Sequence, residues 1–387
     1  MQAITELFRK NIRQYGMIIA LVFITVLFQI LTDGILLKPL NITNLILQNS
    51  YILVLAIGMV LVIITGHIDL SVGSVAAFIG ALAGIMMIDM GMPTYLAVII
   101  SLAAGALIGA WQGYWIAYVK IPAFIVTLAG MLLFRGLTMI ILGGQSIAPF
   151  PKSFQRISSG FIPDWFGGQN LHILTIALGI ILSVLYIWQE VRERRTQIKY
   201  QFETPPFWIF AAQIIILVAI INIFTFVLAT YNGLPNILVI LFFLIAIYSF
   251  VMNRMIAGRH IYALGGNEKA AKLSGVKTKK VTFWVFVNMG ALAALSGLIF
   301  AARLNSATPK AGINFELDAI AACFIGGASA SGGIGTVIGA IIGGLVMGVM
   351  NNGMSLIGLG VDWQQGIKGL VLLLAVAFDI YNKSKTS

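Results

Sequence analysis

Apolar residues fill this chain in runs of roughly twenty, separated by short polar, Gly- or Pro-containing breaks. As a helix, a run of that length crosses about 30 Å of hydrocarbon. Reading runs against breaks predicts twelve spans. They lie near residues 15–32, 45–65, 70–89, 94–119, 121–142, 171–189, 207–229, 236–252, 282–302, 317–328, 334–350 and 366–381. Pro93, Pro122, Pro206 and Pro235 stand near span starts, where a missing N–H costs little. The tenth and eleventh spans are ambiguous. "ELDAIAACFIGGASASGGIGTVIGAIIGGLVMG" fits two short helices, a re-entrant element or one broken helix, and irregular backbone at that depth needs protein cover or a cavity. The pattern predicts an all-α polytopic membrane protein, with residues 1–387 forming a single transmembrane domain.

One segment interrupts the apolar pattern: "YALGGNEKAAKLSGVKTKKV", Tyr262 to Val281. Asn267 can cap a helix there and Gly275 can end it, leaving Glu268 to Ser274 as about two turns. Glu268 early and Lys272 late both suit the helix dipole. So short a helix is marginal alone in water. It persists when docked, with Ala270 and Leu273 on one face offered to a partner. The competing reading is a basic juxtamembrane loop lying on anionic lipid; the cap and stop signals favour a docking element.

Composition sharpens the class. The chain is 59% hydrophobic and 10% charged, with a mean hydropathy of +0.98, whereas soluble domains carry about 25% charged residues. A water-soluble design is excluded. The net charge of +11 would suit nucleic acid, but in a membrane protein Lys and Arg gather on the cytoplasmic side. The start, "FRKNIRQYGMIIALVFITVLFQIL", reads as an uncleaved first span, with no A-x-A-like site after it. With the N-terminus inside, seventeen basic residues fall on inner segments and five on outer ones. Arg135 and Lys368 are left within or at the edge of spans. Both termini are therefore cytoplasmic, as are the basic loop 190–206 and the loop 253–281 that carries the polar segment. Cys323 is the single cysteine, so it makes no internal disulfide and reads as a small packing residue.

Candidate chemistry is sparse. "GGIGTVIGAIIGG" misses the dinucleotide fingerprint and no G-x-x-x-x-G-K-[ST] occurs, which disfavours a nucleotide site. Glycines recur instead at four-residue spacing: Gly105, Gly109 and Gly113, then Gly335, Gly339 and Gly343. That places small residues on one helix face, for close packing. There is no H-E-x-x-H, CxxC or G-x-S-x-G, and His67, His172 and His260 share no spacing. An enzyme is disfavoured, and so is a metal site. Asp69, in "ITGHIDLSVGS", lies at the cytoplasmic end of a span; it can face a cavity, or N-cap the third span with help from Ser71. Gln48, Asn49, Gln112, Asn288, Asn351 and Asn352 can line a path for a hydroxyl-rich solute or tie helices together. The candidate path residues are Asp69, Ser71, Asn288, Asn351 and Asn352. Trp111, Trp115 and Trp363 can serve as sugar platforms or as an interfacial belt.

Five blocks, in order, carry a resemblance. "GHIDLSVGSV", "AFIVTLAGMLLFRG", "GRHIYALGGNEKAAKLSGVKTKKV", "ARLNSATPKAGINFELDAIAACFIGGASASGGIGTVIGA" and "VMNNGMSLIG" are similar to the membrane permeases of bacterial monosaccharide ABC importers. The resemblance covers roughly residues 40–381. Shorter, ribose-type members have one span before the "GRxIYALGGNE" segment, whereas this chain has three, so it looks like the xylose or multiple-monosaccharide type. The resemblance implies a type II-like ABC importer bundle, N-in and C-in, working as a homodimer in the bacterial inner membrane. It also implies a cytoplasmic ATPase that uses ATP-Mg and an extracytoplasmic sugar-binding protein, with no cofactor and no nucleic acid bound by this chain. Gly265, Gly266, Asn267, Glu268, Ala270, Ala271 and Leu273 then correspond to the segment that docks on the ATPase. The implied substrate is a monosaccharide such as xylose, arabinose, glucose or galactose. Branched-chain amino acids and nucleosides are the rival substrates; a stand-alone channel or ion-coupled transporter is the rival class.

Overall fold

The structure, a computed structural model, describes residues 12–168, 171–202 and 204–384. Among these the regular structure is helical, with two isolated β-bridges, Ile147 with Ala307 and Phe161 with Pro235. The first five helices are α1 (Ile12–Leu31), α2 (Pro39–Ile64), α3 (Val72–Asp89), α4 (Thr94–Val119) and α5 (Ala123–Leu142). A short α6 (Lys152–Ser159) precedes α7 (Ile173–Lys199), α8 (Phe207–Ala229) and α9 (Asn236–Arg254). Then come the short α10 (Ile256–Gly266) and α11 (Glu268–Leu273), and finally α12 (Thr278–Leu304), α13 (Phe315–Ile325), α14 (Val337–Leu356) and α15 (Val361–Ser384). The prolines at 93, 122, 206 and 235 each take the N-cap position, directly before α4, α5, α8 and α9. Arg9, Lys10 and Lys385, counted among the inner charges, lie outside the described residues.

Nine of the described helices are long and apolar enough to cross a membrane. Twelve crossings were expected, and the difference falls on α1, α13 and α15. The apolar described part of α1 is the shorter Gly16–Leu31. Helix α15 has 24 residues but carries Asp362 and Lys368 in its first half. Helix α13 has only 11 residues, about 16 Å at 1.5 Å per residue, half a bilayer. The ambiguous stretch is thus a half-helix and a full helix joined by a glycine-rich loop, with a second irregular segment, 305–314, ahead of it.

Both irregular segments are covered by protein. Arg135 of α5 donates to the carbonyls of Ala311 (2.7 Å) and Gly312 (3.2 Å). Gly312 has φ +70°, and a Cβ there would stand 1.9 Å from the Gly73 carbonyl oxygen. In the 326–336 loop the Gly333 N–H donates to the Ile64 carbonyl at 2.8 Å. Those contacts satisfy backbone groups that hydrocarbon would leave bare.

Helices α2 and α12 form the centre, with 83% and 72% of their span windows buried. The glycine stripe of α4 lies directly on α12. A Cβ on Gly109 would come 2.2 Å from the Phe286 carbonyl oxygen, and one on Gly290 would come 2.2 Å from that of Gly105. Gly343 of α14 meets α13 in the same way, a Cβ there falling 1.9 Å from the Ala322 oxygen. By contrast, α7 and α8 pair with each other at the periphery, with 17% and 11% of their windows buried. Gly179 seats Thr225, and Asn222 donates to Ser183 Oγ at 2.8 Å. Replacing Gly109 by Val obstructs a close helix approach in the centre. The expected cost is at least about 2 kcal/mol, typical of overpacking, read as a lower melting temperature in detergent, whereas Gly136→Val, on a site with open space, should leave it nearly unchanged.

Candidate coupling surface and translocation path

Helix α11 is short and fixed at both ends. Asn267 has extended backbone and its side-chain oxygen accepts from the Ala270 N–H at 3.0 Å, which makes it the N-cap. At the other end the Val276 N–H bonds the Ala271 carbonyl (3.0 Å) and the Gly275 N–H bonds that of Lys272 (3.1 Å). That is the Schellman arrangement, and Gly275 supplies its left-handed residue at φ +86°. Ala271 is the buried contact to the bundle, while Ala270 is exposed and Leu273 is 89% exposed. Leu273 thus stands clear of its own bundle on a helix capped at both ends.

Of the seven residues expected in this surface, Gly266, Asn267, Glu268, Ala270 and Leu273 are exposed. Gly265 and Ala271 face inward instead. A Cβ on Gly265 would lie 1.6 Å from the Ile64 oxygen and 2.7 Å from the Gly333 nitrogen. The end of α10, the end of α2 and the 326–336 loop therefore meet backbone to backbone. Tyr262 adds a tether, its hydroxyl donating to the Gly335 carbonyl at 2.7 Å.

Beside α11 opens a cavity of about 920 Å³, bounded by the α2–α3 linker, the α4–α5 link and the start of α12. His67 lines it, and burial holds its imidazole below the ordinary range against the opposing pull of Glu268. Two residues further along the linker, Asp69 is 2% exposed. It does not cap α3: its Oδ1 accepts from the Ser71 N–H (2.8 Å) and Ser71 hydroxyl (2.7 Å), and Ser71 in turn accepts from Gln112 Nε2 at 2.8 Å. Gly130 makes room for that amide, since a Cβ there would fall 2.5 Å from it. Burial raises the Asp69 carboxyl to about 6, with the Ser71 hydrogen bonds opposing.

The remaining candidate path residues sit apart from this group. Asn288 of α12 accepts from the Tyr248 hydroxyl of α9. Asn352 of α14 and Asn41 of α2 exchange reciprocal amide bonds of 2.7 and 3.1 Å. Asn351 leaves a buried side-chain oxygen without a hydrogen-bond partner among the described residues. The structure thus joins Asp69 and Ser71 through one network and places Asn288 and Asn352 in separate ties between helices. Trp111, Trp115 and Trp363 are exposed on the outer surface of the bundle.

Comparison with known proteins places this geometry. Residues 41–376 match the family described as "Branched-chain amino acid transport system / permease component". The chain belongs to this permease family. It is 40% identical over 379 residues to the xylose transport system permease protein XylH of Haemophilus influenzae, covering 97% of this chain and 98% of the relative. XylH of Escherichia coli K12 is 39% identical over 376 residues, covering 97% and 94%. The ribose import permease protein RbsC of the same strain is 36% identical over 340 residues, covering 88% and 85%. No solved structure gives a significant match. The resemblance to sugar importer permeases is borne out.

Inside the permease, sequence reasoning passed over one charged pair. Lys368 of α15 lies 3.0 Å from Asp318 of α13, a residue only 3% exposed. Tyr51 donates to the same carboxylate at 3.4 Å and stacks on Phe315 with ring centroids 4.0 Å apart. Four charges in apolar surroundings, Arg135, Glu316, Asp318 and Lys368, were the available signal: ionised groups in spans pair or face a cavity. Pairing across α5, α13 and α15 needs the tertiary fold.

The Asp69 carboxyl yields a pH test. Its proton is held in the folded permease up to about pH 6 but leaves the unfolded chain near pH 3.9. Stability is therefore highest below the unfolded value and is lost as pH rises to about 6, at up to about 1.4 kcal/mol per pH unit. Wild type minus Asp69→Asn melting temperatures should fall between pH 4.5 and 6 and level off above; a difference independent of pH contradicts the assignment.

Proposed function

We propose that this permease is the membrane subunit of an ATP-driven monosaccharide importer of the xylose type, set in a bacterial inner membrane. A binding protein delivers a neutral sugar to the outer face, and a second copy of the chain completes the pathway. A separate cytoplasmic ATPase, using ATP-Mg, grips α11. The permease supplies no catalytic residue and no cofactor of its own. The observation that carries this reading is α11 itself: capped at both ends, presenting Leu273 outward, and anchored through Gly265 to two other segments. Motion imposed on α11 reaches the end of α2 and the 326–336 loop through the adjoining end of α10. Those segments lead into α3, α13 and α14, so alternating access follows from displacing one small element. The names of the relatives support the sugar class.

The family description raises branched-chain amino acids as the second reading. A zwitterion asks the path for a partner to each charge. The two basic side chains within α5 and α15 are already engaged, Arg135 with the carbonyls of Ala311 and Gly312 and Lys368 with Asp318. That favours a neutral solute. Uptake assays with the partner ATPase and binding protein should show transport of xylose, arabinose, glucose or galactose rather than leucine or uridine; transport of leucine alone rejects the sugar reading. The chain reconstituted alone in liposomes should be inactive, and robust uptake there would reject dependence on an ATPase.

Coupling through α11 makes a separate prediction. Asn267→Ala removes the cap, at about 1 kcal/mol of local helix stability, and Glu268→Ala removes a first-turn carboxylate. Both variants should lower ATP-dependent uptake several-fold while the amount of permease in the membrane fraction stays constant. Unchanged uptake in both variants counts against α11 as the coupling element.

A further inference from the structure

Five lysines converge on the cavity beside α11: Lys120, Lys272, Lys277, Lys279 and Lys280. They come from three segments, the α4–α5 link, α11 and the start of α12, and all five are exposed. None forms an ion pair among the described residues, and Glu268 is the single carboxylate in the lining. Five cations around one recess raise the local concentration of anions there.

The walls indicate which anion. Ile121 and Phe124 give the recess an apolar side on the α5 flank. From there Phe124, Leu128 and Leu132, one turn apart on α5, are 57%, 41% and 66% exposed. A cationic mouth at the cytoplasmic rim therefore opens onto an apolar stripe that descends into the bilayer. An acidic protein segment would use the lysines but not the stripe. An anionic phospholipid uses both, and basic pockets between spans on the cytoplasmic side are suited to such headgroups.

We propose that this recess is a binding site for an anionic phospholipid of the inner leaflet. Its phosphate lies against Lys277, Lys279 and Lys280, and an acyl chain follows Phe124, Leu128 and Leu132. The lipid neutralises the lysines under α11 and fixes the rim on which that helix sits. The assignment is independent of the transported solute, and its lipid arms need the permease alone.

The full chain, purified in detergent and titrated with an equal mixture of phosphatidylglycerol and phosphatidylcholine, is read by native mass spectrometry. Wild type should retain phosphatidylglycerol preferentially. The variant Lys277→Gln/Lys279→Gln/Lys280→Gln should retain at least about tenfold less of it, given the surface attraction per basic residue, with phosphatidylcholine unchanged. Arg192→Gln/Arg195→Gln/Lys199→Gln, an equal charge change in the last turns of α7, should behave as wild type. Phe124→Ser should weaken retention of both lipids. Equal retention by wild type and the cavity variant overturns the site, as does an equal loss in both triple variants. If the cavity variant keeps its lipid but no longer co-purifies with the ATPase, the recess is a protein-docking surface and the lipid assignment fails.

Discussion

At Ile64 the second helix ends with a carbonyl that has no helical donor left, and the Gly333 N–H meets it at 2.8 Å. A backbone that leaves helical form in an apolar bundle must find such partners, because each bare group costs several kcal/mol in hydrocarbon. The requirement recurs wherever the chain turns within the bundle. Arg135 supplies it for Ala311 and Gly312. Tyr262 supplies it for Gly335. Glycine makes these meetings possible, since a side chain at Gly265 or Gly312 would stand inside another residue's backbone oxygen. Irregular segments and their glycine neighbours thus form one structural unit, and α12 packs the rest of the bundle around it.

Much of this architecture was legible in the chain. Hydrophobic runs located the long helices, and the prolines marked the N-caps of α4, α5, α8 and α9. The four-residue glycine spacing correctly marked the face of α4 that meets α12, because small residues at that period permit backbone approach. The two turns after Asn267 were readable from cap and stop chemistry alone, which is local by nature. Tertiary partners were not readable. Asn41 with Asn352, Ser71 with Gln112, and Asp318 with Lys368 join positions distant in sequence. No local pattern distinguishes such a tie from a residue that lines a path. Asp69 illustrates the limit: a carboxylate just before a helix reads as a cap, but its oxygen is taken by Ser71 within the linker.

The α7–α8 pair stands at the periphery of the bundle, with 17% and 11% of its span windows buried. The two helices meet each other directly, Asn222 donating to Ser183 Oγ and Gly179 leaving room for Thr225. Two consecutive crossings return the chain to the side from which it left, so α7 and α8 leave the placement of α11 unchanged. An antiparallel pair that packs on itself and conserves orientation can be accommodated without repacking α2, α12 or α14. The basic residues 192, 194, 195 and 199 at its inner end hold the pair in the same sense as the rest of the chain.

The size of α11 bears on how force could pass through this protein. Six residues cannot sustain a helix in water unaided. Capping at Asn267 and Gly275, and one buried face at Ala271, make it a rigid peg instead. Its root is a three-way backbone junction with little compliance, because Gly265 already sits at contact with Ile64 and Gly333. Side chains can absorb a displacement by changing rotamer; abutting backbones cannot. In the coupling proposed above, a push on Leu273 is shared between the α2–α3 linker, which carries the buried Asp69–Ser71–Gln112 network, and the loop that separates α13 from α14. The two segments that break the helical pattern near the cytoplasmic face are the two that such a push reaches first, and helical rods on either side of them give the motion discrete elements to reposition.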